Sequence, residues 1–265
     1  MTRQRTIILI LPLAMSIPLI LSEEKQPPVS RRSTKPRMEI PPPISDGTSL
    51  GKVQSVMAKG GPEAIQVFIE MLKRPDPPSQ GTAAWALAQM RSKNPEAVPL
   101  LIPMLKEDWL ADDAATALGM IGPEARAAIP SLIRVLKSKY VQNRRQAAEA
   151  LGKIGLDAKA AVLALREAIN DRETEVRIAA CFAIYKLDAQ SKKEMLAFLI
   201  ETLRTGLRKP YDKGTYWAVQ ALGEIGPEAK EVVPVLLTNY NALRSSPYLR
   251  IDDAIRRIAP ELRQR

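Results

Sequence analysis

The chain has 265 residues, 46% hydrophobic and only 5% aromatic, with 39 Lys/Arg against 29 Asp/Glu for a net charge of +10. It contains no histidine, which removes histidine general bases, histidine-oriented serine or cysteine nucleophiles and histidine metal ligands. A single cysteine, Cys181, leaves no intramolecular disulfide and no multi-cysteine metal site, while the basic balance turns attention to acidic partners without choosing among lipid, polymer and nucleic acid.

Residues 1–22 begin with Arg3 and Arg5 and continue as an apolar run from Thr6 to Ser22, the layout of a secretory signal peptide. The run is 17 residues long and contains Pro12 and Pro18, short of the roughly 20 residues that a spanning helix needs. Cleavage after Ser22 would give an extracytoplasmic protein, periplasmic or secreted. Retention of the run as an uncleaved N-terminal anchor is the alternative. Residues 23–46 carry six prolines and no hydrophobic periodicity, so they read as an extended, solvated linker.

From residue 47 onward the chain repeats itself. ALGMIGPEA at 117–125 returns as ALGKIGLDA at 150–158 and as ALGEIGPEA at 221–229. With the alanine of the Ala-Leu pair as a register mark, copies fall at Ala86, Ala117, Ala150, Ala183, Ala221 and Ala254, and a weaker one at Val56. The spacings between the six alanines are 31, 33, 33, 38 and 33 residues. A period of this size means stacked supersecondary units, each unable to bury its apolar face alone. The pattern predicts an all-α superhelix of about six helical hairpins with a C-terminal cap over residues 47–265.

Within each unit a first helix carries small and apolar residues at helical spacing, as in Ala147, Ala150, Leu151 and Ile154. Gly119, Gly152 and Gly223 stand two after the mark, where a missing side chain lets neighbouring helices approach; the fifth unit has Tyr185 there. Gly122, Gly155 and Gly226 are expected to end the first helix in a left-handed cap. Pro99, Pro130 and Pro234, thirteen after the mark, are expected at the first position of the second helix.

The segments TEVRIAACFAIYKL (174–187), NRRQAAEALGKIG (143–155) and DDAATALGMIGPEA (112–125) resemble the HEAT-repeat family, in particular its PBS-lyase HEAT-like subgroup. The resemblance spans roughly residues 48–262 and implies an α-solenoid. The subgroup takes its name from bilin lyases, so the resemblance also implies chromophore handling as an alternative function. HEAT-like deoxyhypusine hydroxylases use His-Glu metal ligands, which this histidine-free chain cannot supply.

Cys181 stands two before its mark, level with Ala84, Ala115, Ala148 and Val219, and is expected to be a buried, inert thiol. Asp112-Asp113 and Asp252-Asp253 sit at the starts of first helices, where carboxylates favour the macrodipole. Arg134, Lys137, Lys139, Arg144 and Arg145 form a basic cluster with no acid between Glu124 and Glu149. A nucleic-acid solenoid needs a basic stripe from unit to unit. The row seventeen after the mark, assigned to an inner second helix, reads Pro103, Arg134, Glu167, Ile200 and Thr238, which disfavours nucleic acid. The 38-residue spacing places about five extra residues around 205–217, read as a loop bearing Arg208, Lys209, Tyr211, Lys213, Tyr216 and Trp217.

The sequence therefore predicts an exported, non-enzymatic scaffold without a cofactor, acting as a monomer that binds a protein partner. Its candidate contacts are Arg208, Lys209, Tyr211, Lys213 and Trp217 in the loop and Arg134, Lys137, Arg144 and Arg145 in the basic cluster. The alternatives are a bilin lyase-like protein and a binder of anionic polymer or of a membrane surface, the latter by peripheral contact.

Overall fold

A computed structural model describes residues 50–59, 61–90, 94–207, 213–240 and 251–264. The apolar segment, the proline-rich linker and Arg208, Lys209 and Tyr211 lie outside the described residues. Among these residues all regular structure is helical, and no helix is long and apolar enough to cross a membrane.

The helices alternate as first and second members of successive units. First helices are α1 (Leu50–Lys59), α3 (Pro77–Gln89), α5 (Ala111–Ile121), α7 (Val141–Ile154), α9 (Thr174–Leu187), α11 (Lys213–Ile225) and α13 (Ile251–Ile258). Second helices are α2 (Gly61–Leu72), α4 (Val98–Met104), α6 (Ile129–Val135), α8 (Val162–Ala168), α10 (Lys192–Gly206) and α12 (Val233–Thr238). This is the expected superhelix of six hairpins, and α13 with the short turn Pro260–Gln264 follows them.

The register mark reports packing. Leu118, Leu151, Ile184 and Leu222, one after the mark, are fully buried, each stabilising the fold by about 1.5–3 kcal/mol relative to exposure. A Cβ added at Gly119 would lie 3.0 Å from the Cα of Ala150, and one at Gly152 would lie 3.0 Å from the Cα of Ala183. The glycine of one unit thus presses its backbone against the marking alanine of the next. First helices stack closely through these small residues.

Three further expectations are adjusted. Gly122 and Gly155 do end their helices with positive φ, but their ψ values of −137° and −152° are extended rather than left-handed helical. Only glycine tolerates that region, so the residue type is required though the cap differs. The helix-starting prolines occupy the second position of α4, α6 and α12, one residue later than expected, after 3-10 turns built from the Pro-Glu-Ala motif. The five extra residues do not simply form a loop. Helices α4, α6 and α8 all end eighteen after their marks, whereas α10 ends at Gly206, twenty-three after Ala183. The insertion therefore lengthens α10, and the connection 207–212 stays short.

Candidate functional site

The basic cluster divides once folded. Arg144 is buried, its Nε 2.6 Å from Asp171 Oδ2 and its NH2 2.8 Å from Asp171 Oδ1. It also donates to the carbonyls of Ser138 and Lys139 at 3.0 and 3.2 Å, so it knits the turn before α7 to the turn before α9. Arg177, 33 residues on, makes the same carbonyl contacts within its own turn, donating to Asp171 and Arg172. Arg134 and Lys137 are exposed near the end of α6. Arg134 donates to Ser131 Oγ at 2.8 Å, and Lys137 pairs with Glu167 at 3.3 Å. Lys139 pairs with Asp108 at 3.1 Å. Arg134 and Lys137 therefore line one cleft beside α6, while Arg144 is taken up in contacts between turns.

Arg145 faces another way. Its guanidinium lies 4.6 Å from the centroid of the Trp217 ring, and it is held there by Glu149 and Gln142. The structure thus joins one residue from each sequence-predicted patch. Tyr216 meets Trp217 edge-on, with centroids 4.8 Å apart. Lys213 begins α11.

Beside Trp217 runs a groove, open to solvent, over α7, α9 and α11. Ile178, Ala179 and Phe182 of α9 line its floor, with Glu149 and Lys153 of α7 on one side and Trp217, Gln220 and Glu224 of α11 on the other. Lys186 projects into it with its ammonium 4.1 Å from the centroid of the Phe182 ring and 3.8 Å from Glu224 Oε2. Burial holds the Lys186 ammonium below the ordinary lysine pKa, because the charged form loses solvation that Glu224 only partly replaces. Lys153 lies 3.7 Å from Glu149. The groove thus sets paired charges of both signs beside two large aromatic faces. Such a surface can seat an apolar side chain and fix the orientation of polar groups flanking it.

The other predicted residues keep structural roles. Cys181 is fully buried and its thiol donates to the carbonyl of Met195 at 3.2 Å. Burial pushes its pKa well above the ordinary thiol value, and the charge of Glu194 adds to the shift. Asp112-Asp113 and Asp252-Asp253 occupy the first turns of α5 and α13, as expected.

Sequence reasoning missed Glu149, Lys153, Phe182, Lys186, Gln220 and Glu224. The register could have found them. The row one before the mark reads Trp85, Thr116, Glu149, Phe182, Gln220 and Asp253. The row three after it reads Gln89, Met120, Lys153, Lys186, Glu224 and Arg257. Three consecutive members of each row line the groove, but only a row on the second helices was tested for charge.

Comparison with known proteins accords with this geometry. Among solved structures the chain is similar to the complex of CpcE and CpcF of phycocyanin lyase from Nostoc sp. PCC7120, with a TM-score of 0.55 and 24% identity, over 79% of this chain and 87% of that one. An engineered protein is similar with a TM-score of 0.45 and 21% identity, over 74% of this chain and 98% of its own. No curated protein sequence matches. At this identity the likeness to phycocyanin lyase establishes the fold, in agreement with the resemblance to PBS-lyase HEAT-like repeats. The family model for HEAT repeats matches residues 49–119, 108–184 and 129–211, more than half of the chain. The chain belongs to the HEAT-repeat family.

Proposed function

We propose that this HEAT-repeat chain is an exported, non-enzymatic scaffold that binds a protein partner on its first helices, in the groove over α7, α9 and α11. The observation that carries the reading is the Arg145–Trp217 contact. It joins two units across a third and sets a large aromatic side chain at the edge of the groove. Aromatic residues beside arginine are the side chains that most often anchor protein interfaces. The absence of histidine and the inert setting of Cys181 support a binding role over acid–base or thiol catalysis. The similar solved structure is itself a complex of two chains, which supports a protein as the partner. Export rests on the layout of residues 1–22.

The test is retention of a protein from the native envelope fraction by wild-type chain, Phe182→Ala, Trp217→Ala and Leu163→Ala, with melting temperatures measured in parallel. Leu163 lies on α8 and is 78% exposed, away from the groove. The two groove variants should lose the partner while Leu163→Ala keeps it. Equal retention by all four would contradict the reading. A visible absorption band co-purifying with the native protein would favour chromophore handling instead.

A further inference from the structure

The seam between first helices is closed by glycine in three places. Added Cβ atoms at Gly119, Gly152 and Gly223 would lie 3.0, 3.0 and 3.2 Å from the Cα of the marking alanine in the next unit. These distances are tighter than nine in ten real Cβ contacts, so each glycine sets how close its pair of helices can come. The equivalent position on α9 is Tyr185. With a side chain there, α9 and α11 cannot repeat that approach.

The tyrosine is fixed in place. It is buried, and its hydroxyl donates to Glu228 in the turn after α11. Lys192 pairs with the same carboxylate at 3.1 Å and lies 5.0 Å from the centroid of the tyrosine ring. One side chain thus bridges the fifth unit to the sixth and is clamped by a residue from each. At this junction Lys186 of α9 pairs with Glu224 of α11 at 3.8 Å, and both line the groove together with Ala221.

We propose that Tyr185 is a positioning residue, a wedge that holds α9 and α11 apart and so sets the width of the groove. The proposal rests on the reading of that groove as the partner-binding site. It accounts for the α9–α11 side of the groove, where a partner side chain can enter between Phe182 and Trp217; the other side lies over the glycine-closed seam at Gly152. Tyr185 would not touch the partner. It would act through the separation of two helices.

Crystal structures of the full chain carrying Tyr185→Gly and Tyr185→Phe test the wedge directly. In Tyr185→Gly, residue 185 should close on Ala221 as Gly152 does on Ala183, and most of the groove volume should vanish. Tyr185→Phe should keep the groove, because the ring and not the hydroxyl is the spacer. A Tyr185→Gly structure with the groove unchanged would overturn the proposal. If Tyr185→Gly does not fold, Tyr185→Ala serves in its place: a narrowed seam supports the wedge and an unaltered one overturns it. Retention from the envelope fraction separates the two claims. A closed seam with the partner still held leaves the wedge standing and removes the groove as the binding site.

Discussion

The guanidinium of Arg145 lies 4.6 Å from the centroid of the Trp217 ring, joining α7 to α11 across the width of α9. Cation–π pairs contribute about 0.5–2 kcal/mol depending on desolvation. A double-mutant cycle of Arg145→Met and Trp217→Leu, read by urea denaturation, should give a coupling energy of about 1 kcal/mol. Strict additivity would mean that the two side chains are neighbours without being partners.

Glycine substitutions should rank by what the new methyl meets. In Gly152→Ala it meets the Cα and Cβ of Ala183 at 3.0 and 3.1 Å, which only a shift of α7 against α9 can relieve. A loss of about 1–3 kcal/mol is expected, as for other overpacked sites. In Gly81→Ala the near atom is Leu110 Cδ2 at 3.0 Å, the end of a side chain that can turn aside. There the gain in helix propensity, about 1 kcal/mol, offsets the crowding and the net change should be small. Thermal melts of the two variants compare them under one condition.

Asp171 should govern part of the acid stability. Burial alone would raise its pKa, but the hydrogen bonds from Arg144 and the Glu173 amide, with the charge of Arg144, outweigh it and hold the carboxyl below its ordinary 3.8. A carboxylate lowered in the folded state stabilises the fold above its unfolded pKa, and that stability is lost as pH falls through the folded value. Its side chain is 12% exposed and that of Arg144 is 8% exposed, so removing one charge leaves the other buried and unpaired. Asp171→Asn should cost about 3 kcal/mol at neutral pH. It should also flatten the fall in stability between roughly pH 5 and pH 2. A variant whose acid limb parallels the wild type would contradict this assignment.

Cys181 should behave as a reporter of unfolding. Its buried thiol carries a raised pKa and donates to Met195, so almost no thiolate reaches solvent. Labelling by Ellman's reagent should be negligible in native buffer and should follow the urea transition. Rapid stoichiometric labelling of native protein would show an open thiol.

The fold was legible because alanine, leucine and glycine recur with the period of the units. The same register that aligned Gly119 with Gly152 placed Cys181 in the core and marked Tyr185 as an exception. The site was legible in part. Trp217 and Arg145 were singled out, but in separate patches, because their contact crosses two units and no local pattern encodes it. Arg144 and Arg145 are adjacent in sequence, yet a helical step of 100° sends one to the buried Asp171 and the other to the groove. The groove rows were overlooked because they draw on helices of three units, and only the packing of α7, α9 and α11 makes them one surface. The extra residues before α11 read as a loop because length alone does not distinguish a loop from a longer α10.

Partner binding in the groove over α7, α9 and α11 is open to a direct test. Site-specific photo-crosslinking tests it most directly, with a benzophenone side chain placed at Phe182 in one variant and at Leu163 in another, each exposed to the native envelope fraction. The account predicts a discrete protein adduct from position 182 and none from position 163. An adduct from position 163 with none from position 182 would place binding on the second helices and contradict it.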